Sequence, residues 1–369
     1  MELLARAKAL EAEGQDIIHM EVGEPDFPTP EPVIAAAQKS IIDGNVFYTH
    51  ALGLPELRQA ISDFYKSRYG INIPFSRIVV TAGASGALLL ALACLAEPGS
   101  EWLLTDPGYP CNANFIRNFG GIPVGIPVTP ESNYQPTVND LENYWNQRTA
   151  GALFASPANP TGTLFDDTTL GAISAFIEKK HGQLIVDEIY HGLTYGCDAS
   201  SALQFSDDVF VVQSFSKYFN MTGWRLGWLV VPEKHVRNIE KLAQNLFIAP
   251  STPAQHAALA AFLPETLKIL ESRRQEFRKR RDFLVPELEK LGFRLQVKPQ
   301  GAFYLYADCS ALTKNSDHFC REILEAAGVA ITPGLDFGSH APATHLRFAY
   351  ANRIDRLAEA VSRIKRYLG

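Results

Sequence analysis

No apolar run in this sequence is long enough to cross a bilayer. The longest, 87–96, falls well short of the roughly 20 residues a spanning helix needs, so no membrane partner is expected. Cysteine is scarce and unpatterned: Cys94, Cys111, Cys197, Cys309 and Cys320 stand apart, with no C-x-x-C pair. An odd, scattered set speaks against a disulfide framework and for thiols kept reduced in a cytoplasm. No segment before the first helical pattern reads as a secretory leader. Charge of one sign is not concentrated either. The chain carries 34 basic and 40 acidic residues, a net charge of −6, which offers no footprint for nucleic acid. The one basic stretch, 273–281, is broken by Glu276 and flanked by Glu271 and Asp282, as on a solvated helix face. His191 follows Asp187-Glu188, but neither H-E-x-x-H nor comparable ligand spacing occurs, so no metal site is expected.

What is present is the texture of a globular α/β protein. Of the 369 residues 46% are apolar and 20% charged, and the length favours two domains over one core. Helical spacing covers 1–14, 31–43 and 55–69, with a proline-stiffened loop at 23–30 and an irregular stretch at 44–53. Strand–helix units then follow, with strands expected at 77–81, 101–105, 151–156, 183–186 and 209–212, and a further one at 226–231, parallel or antiparallel. After the first strand the small residues 82–86 turn into a helix at 87–96. Beyond Pro250 the texture changes to long charged helices, 253–263 and 264–291. Short strands at 294–297, 302–306 and 345–348 follow, with helices at 317–327 and the C-terminus. Alternating strands and helices imply a mostly parallel sheet sandwiched by helices. We expect a large domain over 44–270 and a small α+β domain from 1–43 and 271–369, with another strand at 16–22.

Polar groups fall at telling places in this pattern. Asn159, Asp187 and Lys217 each follow an apolar, buried-looking strand. Their spacing is close to one βαβ repeat of roughly 30 residues. In a parallel sheet such positions lie at the carboxyl edge, where open α/β sheets bind ligands. Taken singly, each is equally a helix cap or a surface residue. The turn Gly83-Ala-Ser-Gly86 before a helix suits an anion, because small residues let backbone N–H groups approach it and the helix N-terminus favours negative charge. It is not a G-x-G-x-x-G or P-loop motif, so it supports neither a dinucleotide site nor an NTPase, and alone it is also a plain tight turn. A lysine, a buried carboxylate and an anion turn fit pyridoxal 5'-phosphate: Lys as Schiff base, Asp to keep the ring nitrogen protonated.

The motifs that complete the picture are Gly23-Glu-Pro-Asp-Phe27, Tyr48-Thr49 with Gly53-Leu-Pro-Glu-Leu-Arg58, Asn159-Pro-Thr-Gly162, Asp187-Glu-Ile-Tyr190, Ser214-Phe-Ser-Lys217 with Met221-Thr-Gly-Trp-Arg225, Gly301-Ala-Phe-Tyr304, Pro333-Gly334 and Arg347. In this order, over nearly the whole chain, they resemble the class I/II, fold type I, pyridoxal-phosphate aminotransferases of the bacterial Gly-Glu-Pro-Asp-Phe branch. The resemblance implies transamination between an L-amino acid and a 2-oxo acid by a ping-pong course. The same cofactor doing β-elimination as a C–S lyase is the alternative. It further implies that Lys217 forms the Schiff base and moves the proton, that Asp187 pairs with the ring nitrogen, and that Asn159 and Tyr190 hydrogen-bond the ring oxygen. Tyr109 would stack on the ring. Ala84, Ser85, Ser214, Ser216 and Arg225 would hold the phosphate, and Tyr48 would reach the phosphate of a neighbouring subunit in a homodimer. Arg347, beside the Gly23 backbone and Asn159, would hold the substrate carboxylate as a fork. Which amino acid enters is not legible from the sequence.

Overall fold

The computed structural model describes residues 2–369. In chain order its strands are β1 (Ile18–His19), β2 (Ile78–Thr81), β3 (Glu101–Asp106), β4 (Ile122–Pro127), β5 (Thr149–Ala155), β6 (Gln183–Asp187), β7 (Val209–Ser214), β8 (Gly227–Val230), β9 (Tyr304–Asp308), β10 (Val329–Ala330), β11 (Thr332–Pro333) and β12 (His345–Ala349). Seven of them form one sheet in the order β2-β8-β7-β6-β5-β3-β4. Pairing is parallel from β7 through β6, β5 and β3 to β4, and β8 runs antiparallel to both β7 and β2.

The sequence dictates this sheet through burial on both faces. Successive residues of β5, β6 and β7 enter two different cores. Phe154, Val186 and Val211 join one core with Leu57, Ile61, Leu170 and Ile173. Leu153, Ile185, Phe210 and Val212 join the other with Leu88, Ala91, Ile239 and Ala243. A strand buried on both sides must read as an unbroken apolar run, and such strands require helices over each face. The helices Gly83–Leu95 and Val236–Phe247 lie over one face, and Pro55–Tyr69 and Asp167–Lys179 lie over the other.

The remaining strands use both chain ends. β11, β12 and β9 make a three-stranded antiparallel sheet, and β1 pairs in parallel with β10. The helices Glu2–Ala12, Ser316–Ala327 and Ile354–Leu368 pack beside these strands. The 27-residue helix Pro264–Lys290 packs along Ile354–Leu368, and Glu31–Ile42 packs along Thr252–Leu259.

Several expectations are corrected. The first helix, expected over 1–14, runs Glu2–Ala12, and Met1 lies outside the described residues. The strand at 16–22 pairs only over Ile18–His19, because its partner β10 is itself only Val329–Ala330. The turn 82–86 is not a separate loop: the helix expected from 87 starts at Gly83, so the small residues are its first turn. At 294–297 there is a single bridge, Arg294 to Asp308, not a strand. β4 is not among the expected strands. Ile-Pro-Val-Gly-Ile-Pro lacks strand texture because β4 is an edge strand with mostly uncovered side chains, where proline is tolerated.

Candidate active site

β5, β6 and β7 are neighbours and parallel, so their carboxyl ends open on one crevice. Asp187 is the last residue of β6, Asn159 lies just past β5, and Lys217 just past β7. All three line one cavity of about 530 Å³. Gly23, Ala84, Ser85, Tyr109, Tyr190, Ser214, Ser216, Arg225 and Arg347 line it as well. Of the residues given a site role from the sequence, Tyr48 alone stands outside it, 81% exposed on the surface.

The floor of the cavity is electrostatically tuned by burial. The Asp187 carboxylate accepts one hydrogen bond, from the Ile189 N–H at 3.1 Å. Burial raises its pKa to about 7, against the pull of that N–H and of Lys217. A carboxylate so sparsely paired is built to receive a cationic or N–H group. Lys217 donates from Nζ to the Gly23 carbonyl at 2.6 Å. Burial, with the like charges of Arg347 and Arg225, lowers its pKa to about 8 despite Glu24 and Asp187. Its amine is therefore available as a nucleophile near neutral pH. The Tyr190 and Tyr304 hydroxyls share a hydrogen bond of 2.7 Å, and burial pushes the Tyr190 phenol far above its usual range, so Tyr190 acts as a neutral donor.

One end of the cavity suits an anion. The helix Gly83–Leu95 begins there, with free N–H groups at Ala84 and Ser85. Gly83 has φ +70°, and a Cβ on it would stand 2.6 Å from Arg225 Nη2, so only glycine lets the guanidinium lie against the helix start. Arg225 donates to the Thr222 carbonyl at 2.9 Å, and the Ser216 N–H bonds the Ser214 hydroxyl at 3.0 Å. Two hydroxyls, a guanidinium and a helix N-terminus thus converge.

The other end holds Arg347, which is 6% exposed. It reaches the cavity from β12, donating to Asn159 Oδ1 at 3.0 Å, to Thr332 Oγ1 at 3.2 Å and to the Glu21 carbonyl. Tyr304 and Phe337 face its guanidinium at 4.4 and 4.8 Å. Its Nε is buried without a partner, which leaves a donor for a carboxylate. The loop 23–30 that closes this end is pinned by a two-pronged ion pair, Arg280 to Asp26 at 2.6 and 3.0 Å, and by Trp224 Nε1 donating to Thr29 at 2.9 Å.

This arrangement can hold an anionic group at one end, a carboxylate at the other, and between them an amine-bearing side chain facing a buried acid. The sequence pattern of the family described as aminotransferase class I and II matches residues 15–364. The chain belongs to that family. It is similar to the valine–pyruvate aminotransferase of Mycobacterium tuberculosis, 38% identical over 99% of this chain and 94% of that protein. It is also similar to the aspartate aminotransferase of Thermotoga maritima, 35% identical over all of this chain and 96% of that one. Among solved structures, an aminotransferase from Mycobacterium tuberculosis superposes with a TM-score of 0.97, 38% identical, over all of this chain and 95% of its own. The Thermus thermophilus aspartate aminotransferase with maleate superposes at 0.94, 31% identical, over 99% and 95%. The chain is accordingly an aminotransferase of the α/β fold these structures share, and transamination is its reaction.

The aminotransferase cavity has members that sequence reasoning gave no role. Tyr304, Glu24, Thr222, Val22, Leu88 and Phe115 all line it. For Tyr304 the signal was present: it closes the Gly301-Ala-Phe-Tyr motif, and a Cβ on Gly23 would stand 2.4 Å from its hydroxyl. Below the floor, Glu188 and His191 are buried beside Asp187 and take no part in the cavity. Among the described residues no cluster of three or more His, Cys, Asp and Glu side chains is arranged for a metal ion.

Proposed function

We propose that the cavity binds pyridoxal 5'-phosphate and exchanges an amino group between an L-amino acid and a 2-oxo acid through Lys217. The observation that carries this reading is the convergence of Asn159, Asp187 and Lys217 from three neighbouring strands between an anion cup and an unpaired arginine donor. The donor set fits the cofactor. Ala84, Ser85, Ser214, Ser216 and Arg225 suit its phosphate, the underpaired Asp187 suits a protonated ring nitrogen, and Asn159 and Tyr190 suit its ring oxygen. Tyr109, at the cavity wall, offers a stacking face.

Once bound, the cofactor supplies a carbonyl that takes up the amine and a ring that accepts the electron pair left at Cα. The chain does the rest. Arg347 and Asn159 bind the α-carboxylate and fix which Cα bond faces the ring. Lys217 Nζ, released from the Gly23 carbonyl, would take the Cα proton and deliver it to the former carbonyl carbon of the cofactor, which leaves Cα ready to become the oxo carbon. Asp187 holds the proton on the ring nitrogen, and Tyr190 donates to the ring oxygen.

We further propose a homodimer. Val46, Phe47, Tyr48, Leu246 and Ile248 are all more than half exposed. The 47–49 segment is held to the start of Thr252–Leu259 by Thr252 Oγ1 donating to the Phe47 carbonyl at 2.6 Å and by Gln255 to Thr49 at 3.0 Å. Apolar side chains so presented on a fixed loop suit a partner subunit, with Tyr48 reaching its phosphate. We also propose a large domain, 44–270, and a small one, 1–43 with 271–369, a division that the separate sheets support. Five free cysteines suit the cytoplasm.

The test is Lys217→Ala. The variant should remain folded, lose transamination, and lose the visible absorbance of the bound cofactor. Retained turnover refutes the role of Lys217. Pyruvate and thiol released from a cysteine conjugate by the unaltered protein, without amino transfer, would mark it as a C–S lyase.

A further inference from the structure

We infer that the amino acid taken by this site has an uncharged, apolar side chain, and that aspartate and glutamate are poor substrates. The inference rests on the transamination reading and on the paired subunits proposed above.

Among the described residues lining the cavity there are three cations, Lys217, Arg225 and Arg347. Each has a task. Lys217 is the amine at the reacting centre, Arg225 lies against the anion-binding helix start, and Arg347 carries the free donor for the α-carboxylate. A second substrate carboxylate would find no cation in this protomer. It would find Glu24, which lines the cavity at the exposed end of the 23–30 loop and accepts a hydrogen bond from Thr222 Oγ1. A fixed negative charge there repels an acidic side chain. Val22, Leu88, Tyr109, Phe115 and Ile189 give the lining its apolar and aromatic part, and Asp187 adds a second carboxylate.

A partner subunit could in principle bring the missing cation. The segments placed at the subunit contact, 44–53 and 244–252, contain no lysine or arginine. Their one histidine, His50, faces Glu240 at 3.3 Å. The partner would add Val46, Phe47 and Tyr48, which are large and apolar. The chemistry balances without an outside oxidant. The donor gives up its amino group and α-hydrogen and leaves as a 2-oxo acid. The acceptor oxo acid takes up that amino group and hydrogen, releases its carbonyl oxygen as water and leaves as an amino acid, and one water supplies the donor's new carbonyl oxygen.

The experiment has two arms on the cofactor-loaded protein. In the first, L-leucine, L-methionine and L-phenylalanine are compared with L-aspartate and L-glutamate in the half-reaction, read as the change in cofactor absorbance. An uncompensated carboxylate in such a pocket is expected to lower kcat/KM at least about 100-fold. In the second, unreactive acids are titrated by calorimetry. 4-Methylpentanoate is expected to bind at least about tenfold tighter than glutarate. Aspartate or glutamate within threefold of leucine, or glutarate binding as tightly as 4-methylpentanoate, overturns the inference. If no amino acid of either class reacts, the transamination reading fails. The calorimetric arm then still decides what the cavity prefers. Glu24→Gln should narrow the leucine-to-glutamate ratio at least about threefold, and an unchanged ratio removes Glu24 from the discrimination.

Discussion

Replacing Arg347 with alanine should weaken every amino acid alike. The guanidinium is buried, its Nε is unpaired, and its other nitrogens are committed to Asn159, Thr332 and the Glu21 carbonyl. A carboxylate docking there forms a desolvated charged pair, and truncating one partner of such a pair costs about 2–5 kcal/mol. At 1.36 kcal/mol per tenfold, that is about a 30- to 5,000-fold loss in kcat/KM. The α-carboxylate has the same charge before and during reaction, so most of the loss should appear in KM rather than kcat. Arg347→Lys keeps the charge but not the fork, and should fall between the alanine variant and the parent.

The assay is the half-reaction at the cofactor band, run over a concentration series of alanine, leucine, methionine and phenylalanine. A uniform rise in KM supports the seat for the α-carboxylate, and methylguanidinium added to the alanine variant should restore part of the rate. The same variant should keep its cofactor affinity, because Arg347 lies across the cavity from the cup around Arg225. If KM rises for some side chains and not others, Arg347 reads the side chain and the assignment is wrong. If cofactor affinity falls in step with KM, the loss is structural.

Three other perturbations test separate parts of the site. Gly83→Ala would place a Cβ 2.6 Å from Arg225 Nη2 at a φ of +70°, and should lower cofactor affinity about tenfold when the apoprotein is titrated; unchanged affinity would clear Arg225 of phosphate binding. Asp106 accepts from the Ser339 N–H at 3.0 Å, its hydroxyl at 2.7 Å and the His340 N–H at 3.1 Å, and so holds the loop whose Phe337 backs Arg347. Asp106→Ala should raise amino-acid KM about 5- to 30-fold with cofactor affinity and kcat kept, and an equal fall in kcat would contradict this positioning role. Glu188 is buried, with its pKa raised by that burial to about 8. The folded chain therefore holds a proton that the unfolded chain releases above about pH 4.3, and this stabilisation, complete at low pH, is lost as pH rises through about 8. Glu188→Gln keeps an acceptor for Ser201 and Ala202 and should raise the unfolding free energy at pH 8, by on the order of 2 kcal/mol, and leave it near parental at pH 5, both read from thermal melts. A gain equal at both pH values would mean that Glu188 is not the titrating group.

How much of this was legible in the sequence depended on how local the cause was. β5, β6 and β7 announced themselves, because burial on both faces forces a continuous apolar run. Asn159, Asp187 and Lys217 then stood out as polar groups at the ends of those runs. β4 did not, because an edge strand needs neither apolar faces nor every N–H. Arg347 carries no local mark. His-Leu-Arg-Phe-Ala is an ordinary strand, and the arginine is buried only because Asn159 and Glu21, far away in the chain, supply its acceptors. Family resemblance pointed to it where spacing could not. Glu24 and Thr222 were missed for the same reason: they meet across the cavity mouth from loops that sequence alone does not bring together.

The short pairing of β1 explains why those distant groups meet at all. β1 bonds β10 only through Ile18 and His19, and Met20 makes the last ladder contacts, its N–H to Ala330 and its carbonyl from Ala349. Past that point β10 offers no further partner, and Pro25, Pro28 and Pro30 keep the chain from resuming a ladder. A buried carbonyl without a ladder must find another donor. The Glu21 carbonyl takes Arg347 and Thr332, and the Gly23 carbonyl takes Lys217. Asp26, two residues beyond Glu24, then fixes the loop to the long helix through Arg280. One stretch of chain thus sets the proposed carboxylate seat, the resting place of the Lys217 amine and the acidic mouth together. Lengthening β1 by replacing Pro25 and Pro28 with strand-forming residues should therefore disturb Arg347 and Lys217 at once. KM and the pH dependence of cofactor capture would shift in the same variant, whereas independent supports would let one move without the other.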